Sequence, residues 1–171
     1  AIPILITIGS ILFHMSFSFV FLMADFFGIF MLTFYCIAMN LIRLKIIGIS
    51  YFYRRIFIAA ALYTSTMIIA YKFHFHSGVL MIPLLIVLAV LENKCFKTNK
   101  NIDYKSFIIG CRLAFIGYVF MLLEGKPFHM GCAGTALYFH SVWHLFSACS
   151  FYYIFLFYQQ FNLISKKIYE S

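Results

Sequence analysis

Along the chain, long apolar stretches are broken by short clusters of charges and turn residues. Cutting at those breaks leaves six apolar segments, at about 1-23, 25-43, 55-73, 78-92, 105-124 and 135-161. A transmembrane helix needs roughly 20 mostly apolar residues, and most of the segments reach that length. The fourth is the shortest, about fifteen residues with Pro83 inside it, and only Met23-Ala24-Asp25 marks the turn between the first two. The pattern predicts an all-α fold: a polytopic transmembrane helix bundle with six spans, forming a single transmembrane domain over 1-171. Ala1 opens directly into an apolar run with no charged segment or cleavage site ahead of it. The six spans are therefore expected to belong to a seven-helix fold whose first helix precedes Ala1.

Composition agrees with a bilayer environment. Of 171 residues, 64% are hydrophobic and 11% charged, against roughly 45–50% and about 25% in soluble domains. The net charge of +8 does not call for nucleic acid, because the cations fall where a membrane chain carries them. Arg43, Lys45, Arg54, Arg55, Lys94, Lys97, Lys100, Lys105, Lys166 and Lys167 lie on one side of the predicted spans, and only Lys72 and Lys126 lie on the other. Basic loops stay cytoplasmic, which puts the C-terminus in the cytoplasm, with an endoplasmic reticulum or Golgi membrane as the expected location. Arg112, about two turns into the fifth span, can snorkel to the cytoplasmic surface. The five cysteines form no CxxC pair and suggest neither a disulfide framework nor a thiolate metal site.

Ionisable residues inside a span are costly and usually face a partner or a cavity. In LYFHSVWHLFSA, His140 and His144 stand four apart, on one helical face and one turn from each other. With the orientation above, both lie in the outer half of the sixth span. His14 lies in the outer half of the first span, Ser10 is one turn before it on the same face, and Asp25 is expected to open the second span at that outer end. Five polar residues from three helices thus share a depth.

Three histidines supply neutral nitrogens and leave a fourth tetrahedral position open, the pattern of a catalytic zinc site. Such a site lowers the pKa of bound water toward about 7 and polarises a carbonyl. Asp25 would take the proton or orient a histidine, and Ser10 would hydrogen-bond the developing oxyanion. The competing reading is a His14–Asp25 charge pair, with His140 and His144 bonded to backbone carbonyls. Shared depth favours the metal. Trp143, on another face, reads as a packing residue, whereas His74, His76, Glu124, His129 and Cys132 read as loop or helix-end groups.

Ser10-x3-His14, ten intervening residues, Asp25, and then His140-x3-His144 in HSVWH resemble the CREST superfamily of membrane hydrolases. GSILFHMSFSFVFLMAD and HSVWHLFSACSFYY are most similar to its alkaline ceramidases. The resemblance implies seven helices and a zinc ion held by His14, His140 and His144. It also implies that Ser10 and Asp25 assist hydrolysis of the ceramide amide bond to a sphingoid base and a fatty acid. The partners implied are a membrane lipid substrate and the bilayer. One departure is Phe26-Phe27-Gly28 after Asp25, where ceramidases usually have a glutamate next. That keeps open a GPI-lipid-remodelling or phospholipase-type member of the superfamily. A non-catalytic receptor-like, fusion-related or structural protein of the same fold, in some larger membrane complex, is the third reading.

Overall fold

The computed structural model describes residues 2–16, 18–74, 77–98, 102–124 and 139–161, apart from the side chains of residues 77, 78, 124 and 140. Among the described residues the regular structure is helical throughout: α1 (Ile2–Ser16), α2 (Phe19–Arg43), α3 (Phe52–Lys72), α4 (Met81–Thr98), α5 (Lys105–Glu124) and α6 (Phe139–Gln159), with a 3-10 turn over Ser77–Leu80 before α4. The all-α expectation holds for them. The chain divides into two compact units, residues 1–100 and 101–171.

α1 ends at Ser16 and α2 is capped at Ser18, ahead of the predicted turn at Met23-Ala24-Asp25. Ser18 is extended (φ −84°, ψ 149°) and its side chain accepts from the Phe21 N–H, satisfying one of the amide donors that open every helix. Serine and aspartate cap equally well. Capping at Ser18 leaves Asp25 inside α2, where it is buried. The same choice brings the two backbones together. A Cβ on Gly9 would stand 2.8 Å from the Ala24 carbonyl oxygen and 2.9 Å from Asp25 Cα, and one on Gly28 would stand 2.9 Å from Ile6 Cα. Only hydrogen fits at either place.

Within the first unit α2 is the central helix, packed on α1, α3 and α4. Phe30, Ile37, Ala60, Met67 and Leu84 form the buried core, with Phe26, Phe34, Tyr63 and Leu88 around them. The Phe30 ring meets Tyr63 edge to face at 5.0 Å, and the Tyr63 hydroxyl donates to the Leu80 carbonyl at 2.7 Å, tying α3 to the start of α4. Pro83 sits in the first turn of α4, where its missing N–H would have no intrahelical acceptor. At the other end α4 runs to Thr98, past the predicted end at residue 92. Glu92 and Cys95 are buried there, and their contacts with α2 hold the extra turn and a half.

The second unit is α5 against α6. The Gly117 position leaves room for Trp143 and Phe146, and the Gly110 position for Ile154 and the Ser150 carbonyl. Aromatic rings close both ends: Phe120 stacks on Phe146, while Phe157 packs on Tyr104 and Phe107. Asp103 accepts the Lys105 N–H at 2.8 Å, and its carbonyl accepts from Gln160, so the start of α5 is pinned to the end of α6.

Polar residues share the interior with the hydrophobic core, and large apolar side chains face outward. Asp25, Thr33, Asn40, Thr64, Glu92 and Ser150 are buried, while Leu62, Ile69, Ile86, Phe115 and Leu145 are more than half exposed. Water would penalise those exposed side chains; lipid would not. Phe19–Arg43 and Lys105–Leu123 are long and apolar enough to cross a membrane, with mean hydropathies of 2.1 and 2.0. Cys36, Cys95, Cys111 and Cys149 are thiols; Cys132 lies outside the described residues.

Candidate functional site

On α1, Ser10 and His14 are one turn apart within an unbroken helix, hence on one face. Gly9 decides what that face meets, because its contact with Ala24 and Asp25 sets the Ser10 turn beside the Asp25 turn. Asp25 is the seventh residue of α2, about 9 Å along the axis from the helix start at 1.5 Å per residue. It does not open the helix at the outer end, as the sequence suggests. Its level is that of Ser10, with His14 one turn further along α1.

Asp25 is 8% exposed, and among the described residues nothing donates a hydrogen bond to its carboxyl. A buried carboxylate left in that state is expensive. Its lone pairs are open to a group from outside the described residues, such as a water or the proton of a reacting molecule. His14 is half-buried with its ring 5.3 Å from Phe13.

On α6, His140 and His144 lie in the first turn and a half of one continuous helix, so the four-residue spacing does place them on one face. His144 is half-buried, its ring 4.7 Å from that of Trp143. The packing role read for Trp143 is what the second unit shows: a Cβ on Gly117 would come 3.2 Å from Trp143 Cδ1. His144 is about 100° further round the helix, off the line of contact with α5. The His140 side chain lies outside the described residues.

Ser10, His14 and Asp25 thus belong to the first unit, and His140 and His144 to the second. Among the described residues no three His, Cys, Asp or Glu side chains gather as a metal-binding group. The donor chemistry of the five suits zinc: three imidazoles are a common catalytic set, with a carboxylate and a hydroxyl as outer groups. Of the other polar residues considered, His74 is exposed at a left-handed φ of 58° after α3. His76, His129, Cys132 and Lys126 lie outside the described residues, as does the Glu124 side chain.

A second polar cluster went unread in the sequence. Arg43, counted there as a loop cation, is the last residue of α2 and its side chain is 6% exposed. Its Nη1 donates to Glu92 Oε1 at 2.7 Å and to Asn40 Oδ1 at 2.8 Å, and Asn40 Nδ2 donates to Glu92 Oε2 at 2.7 Å. Cys95 Sγ lies 3.6 Å from the Asn40 carbonyl oxygen. Both charges are compensated and both carboxylate oxygens are bonded, which a buried pair requires. Asn40 is about 22 Å from Asp25 along α2, so the cluster is a brace between α2 and α4, remote from the candidate site. The available signal was Asn40-x2-Arg43 and Glu92-x2-Cys95, two polar pairs at helical spacing flanking apolar runs.

The chain matches no protein-family model, no curated protein and no solved structure.

Proposed function

We propose that this chain is a zinc-dependent intramembrane lipid hydrolase of the CREST superfamily, cleaving the amide bond of ceramide to a sphingoid base and a fatty acid. The observation that carries the reading is Asp25: a buried carboxyl inside a helix of membrane length, without a donor among the described residues, against the α1 turn that carries Ser10 and leads to His14. Lipid would not tolerate such a group without a task. The continuous helix beneath His140 and His144 supports it from the second unit.

His14, His140 and His144 would hold the zinc. Bound there, zinc would supply an acidified water and a polarised amide carbonyl. Asp25 would take a proton from the attacking water and return it to the departing amide nitrogen, so that C–N cleavage releases a neutral amine. The Ser10 hydroxyl donates to the carbonyl oxygen as negative charge builds on it. The products are one carboxylic acid and one amine, with one water consumed.

The membrane reading belongs to the same proposal: six spans in one transmembrane domain, the C-terminus cytoplasmic, in an endoplasmic reticulum or Golgi membrane. It is supported by the two membrane-length helices, by the exposed aliphatic faces of α3 and α4, and by buried Thr64, Asn40 and Glu92. The Phe26 and Phe27 departure favours testing a second lipid class, because both rings pack in the first unit, against Phe30 and Phe57, where the ceramidases usually have an acid next to the aspartate. Purified chain reconstituted in vesicles should contain about one zinc per protein and release fatty acid from ceramide, with both lost in His144→Ala. Wild-type protein without zinc would sink the hydrolase reading. Release from a GPI lipid or phospholipid, and not from ceramide, would move the chain to another branch of the superfamily.

A further inference from the structure

The exposed face of α5 is built in two parts. Lys105 and Arg112 are seven residues apart, which returns them to the same side of the helix within about 20°. Both are exposed, and beyond Arg112 the same side continues as Phe115 (68% exposed), Ile116 (40%) and Val119 (37%), with Ile108 (47%) between the two cations. A groove of about 470 Å³ runs along this face, and Arg112 is its one charged lining residue. Among the described residues Arg112 has no acidic partner. The nearest acid in sequence to Lys105, Asp103, uses a carboxylate oxygen on the Lys105 backbone N–H.

We propose that this face binds an anionic phospholipid, with Lys105 and Arg112 on its head group and its acyl chains along Phe115, Ile116 and Val119. The order of chemistry along the helix is that of a lipid: cations over the first two turns, then only apolar side chains. Side chains on a helix lean toward its N-terminus, which carries the Arg112 guanidinium back toward the Lys105 turn. Arg112 is about 10 Å deeper than Lys105, a depth at which a guanidinium needs a phosphate or the interface to compensate its charge. Two cations with no described acid on the face favour a head group of net negative charge over a zwitterionic one. The site rests on the membrane reading of α5 and is independent of zinc and of catalysis.

The test is native mass spectrometry of the full chain in detergent micelles doped with equal amounts of phosphatidylglycerol and phosphatidylcholine of identical chains. Wild type should retain phosphatidylglycerol over phosphatidylcholine by at least about fivefold, the scale of one interfacial cation. Arg112→Gln should lower that ratio about fivefold. Arg112→Lys should keep most of the preference, and Lys97→Gln, on α4, should keep all of it. Equal retention of the two lipids by wild type, an unaltered ratio in Arg112→Gln, or a protein dimer whose formation excludes lipid would overturn the proposal. Extraction of the membranes with alkaline carbonate separates the two layers of inference: chain retained in the pellet supports the membrane reading, and chain released to the supernatant overturns it together with the lipid site.

Discussion

Arg43 and Glu92, 49 residues apart in sequence, meet at 2.7 Å with both side chains 6% exposed, and Asn40 bridges them by accepting from the arginine and donating to the carboxylate. The brace fastens the end of α2 to the last turns of α4. Removing one partner of such a pair strands a buried charge and costs about 3–5 kcal/mol, whereas replacing both with apolar residues of similar volume is often neutral. Glu92→Ala should therefore lower the unfolding midpoint in detergent sharply, and Arg43→Met with Glu92→Leu should recover most of the loss. An unaltered midpoint in Glu92→Ala would show that the pair does not brace the unit.

Gly9 makes a sharper demand than its size suggests. The atoms a Cβ would meet are backbone, at 2.8 and 2.9 Å, and backbone does not rotate away. Gly9→Ala should force α1 off α2 and cost about 1–3 kcal/mol. Gly48→Ala, with nothing within 4 Å, is the matched control and should leave thermal stability in detergent unchanged. Equal effects of the two would argue against the close approach of α1 and α2.

Ser18 caps α2, the position the sequence suggests for Asp25, and Asp25 lies in the body of the helix. Loss of the cap in Ser18→Ala should destabilise by about 1 kcal/mol, measurable as a lowered unfolding midpoint, with lipid hydrolysis in the surviving folded protein intact. Asp25→Asn keeps shape and volume, so it should leave the fold in place and reduce hydrolysis by about 10²–10⁴-fold while zinc content stays at wild-type level. If Asp25→Asn instead loses the fold and retains the rate per folded molecule, the carboxyl is structural.

Trp143 and His144 are neighbours in sequence but face different surroundings. Trp143→Ala removes the ring that fills the space at Gly117 and should cost about 3–5 kcal/mol of stability with zinc retained in the folded fraction. His144→Ala should do the reverse, losing the metal with little change in helicity. Metal analysis and circular dichroism on the same samples distinguish them, and a variant pair that behaves alike would remove His144 from the ligand set.

Ser150 Oγ is buried on α6 at 1% residue exposure with no hydrogen-bond partner among the described residues. An unsatisfied buried hydroxyl costs about 1–3 kcal/mol, so Ser150→Ala is expected to raise the unfolding midpoint slightly or leave it alone. A clear fall would mean that the hydroxyl has an acceptor outside the described residues.

Local pattern carried much of the helix inventory. The predicted fifth span, at about 105-124, coincides with α5, Lys105–Glu124, because lysine and glutamate bracket an apolar run whose one internal charge, Arg112, a helix can carry to its surface. The four-residue spacing of His140 and His144 likewise needed only a continuous helix, and α6 is one. Where two local signals competed, sequence misplaced the boundary. Ser18 and Asp25 are comparable caps, and the choice between them was made by the Gly9 and Gly28 contacts, which let α1 lie against α2 only when the chain turns at Ser18.

Sequence by itself determined the apolar, helical character of the chain, the asymmetry of its cations and the spacing of its histidines, because these depend on neighbours within a few residues. Tertiary structure decided which polar residues are interior. It made Arg43 a buried partner of Glu92 instead of a loop charge, carried α4 on to Thr98, and set Asp25 at the level of Ser10 in the body of α2. Each of these turns on a contact across at least fifteen residues of chain, where packing and charge compensation outweigh local propensity.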